Sequence, residues 1–459
     1  MAMSQRNKYI LSFIGTFLFH FGFRSVQCIS YLNVYITSYI HLKQTWISMH
    51  YGNFFMPFMT FAITIFAPLS GYSERTFGPK MSIMFGGLIT FFATLGFFYQ
   101  QNIFICYILI IVIGFGNGIS IAIPNKNLIS YKPDKKGFIN SILICFQTIT
   151  ISIYTLIGEK IINPQGLDIE KDKKFYNDEC ALNSRKIYYI IFILVPLGCL
   201  FGILLFFPYQ SDEEMNKNEQ ISLLEETETK TSNENDLEKE NESEEKQYSI
   251  NLRKAIKSKR LKIIGGIAFS IIFQITFVLN TFRTFGALIN INGQLLQSLV
   301  IVIGLALLIF GPIWGILVDK YGGKIILFLI SIISIITGIL FEFFIENDIM
   351  FAIILTLNAI CIAGINTSIT PHIMHVFGIK YYLERGGLIG IYGGISILMS
   401  SITAFVISLF YENKPAKAII FPYKMITIFG IQLSVIASLL SYYESEKQFD
   451  YNEITDIGN

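Results

Sequence analysis

Charge is scarce in this chain. Asp, Glu, Lys and Arg make up 15% of its 459 residues, where a soluble domain carries about 25%. Alternating, strand-like segments are few, which argues against an outer-membrane barrel. Cysteine supplies no framework: Cys28, Cys106, Cys145, Cys199 and Cys361 fall inside apolar stretches and Cys180 stands alone in a loop, so neither a disulfide set nor a metal-ligand spacing follows. No Ser/His/Asp set, paired carboxylates or metal cluster is present, which excludes the common enzyme classes, and no cofactor is expected. The glycines of Gly114–Gly118 and Gly386–Gly394 lie in apolar stretches with no strand before them, so they are not nucleotide loops.

What is abundant is apolar sequence. The hydrophobic share is 53%, gathered into blocks of about 20 residues, enough to cross a hydrocarbon core about 30 Å thick. The blocks are Tyr9–Tyr31, Ile47–Tyr72, Met81–Tyr99, Ile103–Pro124, Phe138–Gly158 and Ile187–Pro208, then Ile263–Phe285, Leu295–Val318, Ile325–Phe343, Ile349–Pro371, Gly387–Tyr411 and Ala418–Tyr443. This predicts an all-α polytopic membrane protein of twelve transmembrane helices in two six-helix pseudo-repeats. The expected divisions are an N-terminal half (1–208), a linker (209–261), a C-terminal half (262–443) and a tail (444–459). Met1–Phe13 runs into the first block without a small-residue cleavage site, and reads as a retained helix rather than a signal peptide.

Between the halves, Ser211–Lys246 is rich in Glu, Asn, Ser and Thr and poor in aromatics. Such a segment cannot bury enough apolar surface to offset its ordering entropy, so it reads as disordered. It contains Glu219-Gln220-Ile221-Ser222-Leu223-Leu224, an acidic dileucine pattern that would direct the protein to endosomal or vacuolar membranes; the plasma membrane is the other expectation. A basic run, Leu252–Lys262, closes the linker beside the next block. Lys and Arg concentrate in the even-numbered connections, including Arg75, Lys80, Lys132, Lys320, Lys324 and Lys380. The positive-inside rule then places both termini and the linker in the cytoplasm.

Two short hydrophilic hairpins follow blocks two and eight: Gly71–Lys80, GYSERTFGPK, and Gly315–Lys324, GILVDKYGGK. Twelve spans with this hairpin repeated resemble the major facilitator superfamily of transporters. Its signature is Gly, three variable residues, Asp, a base, one variable residue, Gly, and two positions favouring bases. The second copy fits at Gly315, Asp319, Lys320, Gly322 and Lys324, with Gly323 the departure. In the first copy Gly71, Gly78 and Lys80 fit, the Asp position holds Arg75 and the next holds Thr76; Glu74 and Arg75 look like the acid–base pair moved one residue early. Tyr131–Gly137 (YKPDKKG), Phe377–Tyr381, Ile391–Gly393 and Phe77–Lys80 are similar to the oxalate/formate-antiporter-like and monocarboxylate-type branch, whose members carry small organic anions. The resemblance implies two halves rocking about a central site, with the hairpins as a cytoplasmic gate.

An ionisable residue inside a span is costly, about 2.5 kcal/mol upward, and faces a cavity or a partner. Thr16, His20, Arg24, Gln27 and Tyr31 recur every three or four residues, which puts them on one helical face. Arg24 leads as an anion ligand, because a guanidinium fork holds a carboxylate bidentately. Thr276, Asn280, Arg283 and Thr284 form a similar face in the counterpart span seven. Gln147, Asn358 and Asn366 are further candidates, since amides are costly to leave unpaired. His50, Thr60 and Thr64 in span two, and Ser141, Cys145 and Thr148 in span five, read better as helix-packing residues. The expected function is secondary transport of a small organic anion. The alternatives are transport of amino acids, sugars or drugs on the same fold, and a non-transporting membrane sensor. Expected partners are the small-molecule substrate, with a proton as a second cargo candidate, and membrane lipid; the chain is read as a monomer that binds no nucleic acid.

Overall fold

A backbone in hydrocarbon has to satisfy its N–H and C=O groups within its own segment, so each apolar block winds into a helix. The computed structural model describes residues 4–165, 175–209, 256–289, 291, 293–344, 346–411 and 416–443. The linker from 210 to 255, with the Glu219–Leu224 pattern, and the tail from 444 lie outside the described residues, as do the side chains of Tyr31, His50 and Arg283.

Span one comprises Gln5–Arg24, a 3-10 turn over Ser25–Gln27, and Cys28–Tyr31; past Leu32 the chain resumes as the helix Asn33–His41. Span two comprises Phe55–Phe66 and Pro68–Phe77, bent by 50° at Ala67. Span three is Pro79–Tyr99. Span four joins Ile103–Ser120 to Ala122–Tyr131, and span five is Lys136–Ile162. A short helix, Asp178–Asn183, capped by the Asn177 side chain, precedes span six, Ile187–Leu204. Spans seven to twelve are Lys259–Leu288, Gly293–Tyr321, Gly323–Phe344, Asp348–Phe377, Tyr382–Tyr411 and Ala416–Tyr443. Among the described residues ten helices are each long and apolar enough to cross a bilayer. The bent span two makes eleven, and span six, whose apolar stretch Ile193–Leu204 is shorter, completes the expected twelve.

The hairpins are not loops. The helix before each runs on to Phe77 or Tyr321, and the next begins at Pro79 or Gly323. Each reversal is made by one glycine, Gly78 at φ 78° or Gly322 at φ 85°, a conformation that a side chain would strain. Hydropathy falls at the membrane edge, but helical hydrogen bonding continues into water, so the apolar blocks under-measure the helices.

Within the halves, span one packs on six, two and three on four, seven on eleven and twelve, and nine on ten and twelve. The halves meet along two seams, span two against eleven and span five against eight, with span ten also against five. Along the first seam Gly387 lies on the backbone of Pro68, Gly394 on Thr64, and Phe54 meets Phe405 at 4.8 Å between ring centroids. Thr64, Ser141 and Cys145 all sit in these seams, against Gly394, Gly315 and Gly311, as packing residues do.

Candidate functional site

The polar side chains of span one converge where its helix tightens. Ser25 donates its hydroxyl to the Gly22 carbonyl and its N–H to the same oxygen, which opens the 3-10 turn directly after Arg24. A 3-10 stretch inside a long helix marks a hinge or strain. Arg24 is half-buried and donates through Nη2 to Gln147 Oε1 of span five. Gln147 Nε2 stands 3.3 Å from His20 Nε2 and 3.4 Å from Nδ1, and His20 Nε2 stands 2.7 Å from Asn125 Oδ1 of span four. His20 is fully buried and Gln147 nearly so.

The structure therefore unites three predicted residues, Arg24, His20 and Gln147, and adds Asn125. Thr16 turns back to the Ser12 carbonyl (2.8 Å), and Gln27 is half-buried on the 3-10 turn. In the second half Asn280 and Asn366 are exposed partway along their spans. Asn280 lies 3.5 Å from the Ser401 hydroxyl, while the Asn366 carbonyl is 3.4 Å from Asn140 of span five. Asn358 is buried and donates to the Ile354 carbonyl one turn back at 2.9 Å, apart from these groups. Asn125 escaped sequence reasoning because it follows Pro124, where the apolar block ends.

At the hairpin face both seams carry a charged contact. Asp319 accepts from the backbone N–H groups of Gly137 (2.7 Å) and Phe138 (2.9 Å). It thus caps the first turn of span five, where unpaired N–H groups and the helix dipole favour an anion. Gly137 and Gly315 lie so close that a Cβ on Gly315 would stand 2.6 Å from the Gly137 carbonyl. At the other seam Arg75 forms an ion pair with Glu384, which is buried at the start of span eleven with its carboxylate against Gly71. Arg75 follows Gly71 as Asp319 follows Gly315, so the two contacts start from equivalent hairpin positions with opposite charge, one reaching a carboxylate and the other backbone N–H groups. Glu74 stays within its own half, paired to Lys126 at 2.6 Å. Lys80 faces the Phe207 ring at 6.0 Å, Lys320 is exposed over Tyr321, and Lys324 is half-buried. Glu384 was missed because it precedes the apolar block of span eleven. A further pair, Lys424 on the Glu342 carbonyl at 2.8 Å, joins spans nine and twelve away from both seams.

Two helical halves that touch along two seams, with charged locks on one face, define a multi-pass membrane protein of the two-domain transporter class. The chain belongs to the Major Facilitator Superfamily, whose family model matches residues 12–288 and again 264–450; members of that family are transporters rather than enzymes. No curated protein sequence matches the chain. Among solved structures it is similar to the E. coli fucose:proton symporter FucP, at 13% identity and TM-score 0.65, covering 96% of this chain and 100% of that one. The human organic anion transporter MFSD10 (TETRAN) gives 10% and 0.64, over 94% and 100% of the two chains. The proton:xylose symporter XylE, bound to 6-bromo-6-deoxy-D-glucose, gives 14% and 0.62, over 94% of each. At these identities the likeness is one of fold.

Proposed function

We propose that this chain is a secondary active transporter moving a small, monocarboxylate-like organic anion by alternating access, with Arg24 as the anion ligand. The observation that carries this reading is a guanidinium inside an apolar span whose anchor, Gln147, is a neutral amide. That contact orients the fork, whose planar geometry matches a bidentate carboxylate. Gln147 joins spans one and five, and span five borders the seam to span eight, so an anion held there senses the rocking of the halves. The Lys and Arg distribution supports a cytoplasmic hairpin face, and the locks then hold the cytoplasmic side shut.

Uptake into proteoliposomes of labelled lactate, pyruvate, acetate, amino acids and sugars tests this. Carboxylate uptake is expected, with Arg24→Gln reducing it at least tenfold, about 1.4 kcal/mol. Undiminished uptake by folded Arg24→Gln protein sinks the anion-site reading. A neutral sugar is the second reading, favoured by the exposed amides Asn280 and Asn366; saturable sugar uptake without carboxylate uptake would establish it.

A further inference from the structure

The hairpin end of the five–eight seam is hollow. A cavity of about 450 Å³ opens there, lined by Asp134, Lys135 and Phe138 of the first half and by Ile316, Asp319 and Lys320 of the second. The acids in this lining are engaged or offset. Asp319 spends both carboxylate oxygens on the Gly137 and Phe138 N–H groups, and Lys136 lies within electrostatic reach of Asp319 and Asp134. Both lining lysines are exposed. Neither pairs with an acid among the described residues, and Lys320 lies over the Tyr321 ring. The cavity therefore offers two ammonium groups, one from each half.

We propose that this cavity seats the phosphate headgroup of an anionic phospholipid, which bridges Lys135 and Lys320 and holds the two halves together on the hairpin face. A lysine ammonium is a compact point charge suited to phosphate. What makes the ligand a lipid is the surface beside the lysines. Ile309, Ile313 and Ile316 are all exposed. With Lys320 they recur at spacings of four, three and four, which sets all four on one face of span eight. Ile309 lies eleven residues before Lys320, about 16 Å along the helix axis, close to one leaflet of a hydrocarbon core about 30 Å thick. An acyl chain laid on that stripe reaches from the lysine to the bilayer midplane. A soluble phosphate would leave the stripe bare.

The site exists only while the seam is shut. Its lining comes from both halves, and separation of span five from span eight carries Lys135 away from Lys320. The headgroup therefore binds the closed arrangement better than the open one, and by linkage stabilises it. Asp319 and the lipid act on the same seam by different means, the carboxylate on the backbone of span five and the phosphate on side chains from both halves. Lys132 supplies an internal comparison. It stands three residues before Lys135 in the same connection and carries the same charge, but it lies 4.7 Å from the Tyr9 ring and does not line the cavity.

The test places the full-length protein in vesicles of phosphatidylcholine, alone or with phosphatidylglycerol as about a third of the lipid. The readout is the buried seam residue Cys145, labelled with uncharged N-ethylmaleimide, whose local concentration a charged surface does not change; Cys145→Ser is the blank. Phosphatidylglycerol is expected to slow labelling about fivefold, the lower end of ordinary coupling between two sites. In Lys135→Gln and Lys320→Gln the rates in the two lipids converge, whereas Lys132→Gln keeps the difference. Lys135 is exposed in a connection, so its variant tests the site even where Lys320→Gln fails to fold. Equal wild-type rates in the two lipids overturn the proposal. So does a difference lost as fully in Lys132→Gln as in Lys135→Gln, which would mean bulk surface charge. Slowing by phosphatidylethanolamine in place of phosphatidylglycerol would make the headgroup zwitterionic, and slowing by inorganic phosphate in phosphatidylcholine would make the ligand a soluble anion; either overturns the assignment. None of these outcomes depends on the cargo.

Discussion

Gly71 and Glu384 show what a single position can carry. A Cβ at 71 would lie on the Glu384 carboxylate, so the glycine makes room for the acid that Arg75 pairs with. Arg75→Glu or Glu384→Arg alone sets like charges across the seam. Arg75 is partly exposed, so Arg75→Glu is worth only about 1 kcal/mol, roughly a fivefold loss in initial uptake; Glu384 is buried, so Glu384→Arg costs more, and the double swap is expected to recover part of both losses. Two losses with no recovery would show that the pair is incidental. From sequence Arg75 looked like a departure in a motif, because its partner lies in the other half and no local spacing joins them. Gly323 is similar. It stands where the family favours a base, and His372 of span ten occupies the space, its Cβ 2.5 Å from where a Gly323 Cβ would be. Gly323→Arg, which restores the family pattern, is expected to destabilise by about 1–3 kcal/mol through overpacking, read as a lower thermal transition in detergent.

Helices were legible where the bilayer writes them and illegible beyond. All twelve apolar blocks are helices, but the termini that hold the locks, Gly137 at the start of span five and Glu384 at that of span eleven, lie outside or at the edge of the apolar stretches. The 3-10 turn after Arg24 could not be seen in a periodic stripe either; it depends on Ser25 bonding to Gly22. The Asp319 cap on span five yields an element-scale prediction with a native reporter. Cys145 is buried in the same seam, its thiol 3.5 Å from the Leu308 carbonyl. Asp319→Asn weakens the charge–dipole contact by about 0.3–1 kcal/mol, so Cys145 is expected to react with a maleimide about two- to fivefold faster, with Cys145→Ser as the blank. Glu74→Gln, whose contact stays within one half, is expected to leave that rate unchanged. Equal acceleration by both would mean that the Asp319 contact does not hold the seam.

The duplication was plain in the sequence, and with it the two-half architecture. The site was only partly so, because its members come from spans one, four and five and converge through packing that no single stretch encodes. The two locks lie on separate seams, so their free energies are expected to add. Arg75→Gln with Asp319→Asn should multiply the two single-variant accelerations of Cys145 labelling; a product well short of that would show one lock holding both seams. The reversed sign at the Arg75–Glu384 seam also has a consequence for descent. An arginine at 75 facing an aspartate-compatible helix end, or an acid at 384 facing an aspartate, would each have been a poorly matched intermediate, so the two positions are heritable as a pair. Relatives that keep the arginine should keep an acid at the start of span eleven, and those with aspartate in its place should lack that acid. A chimera exchanging one half across that divide would inherit either an aspartate facing an acid or an arginine with no acid opposite.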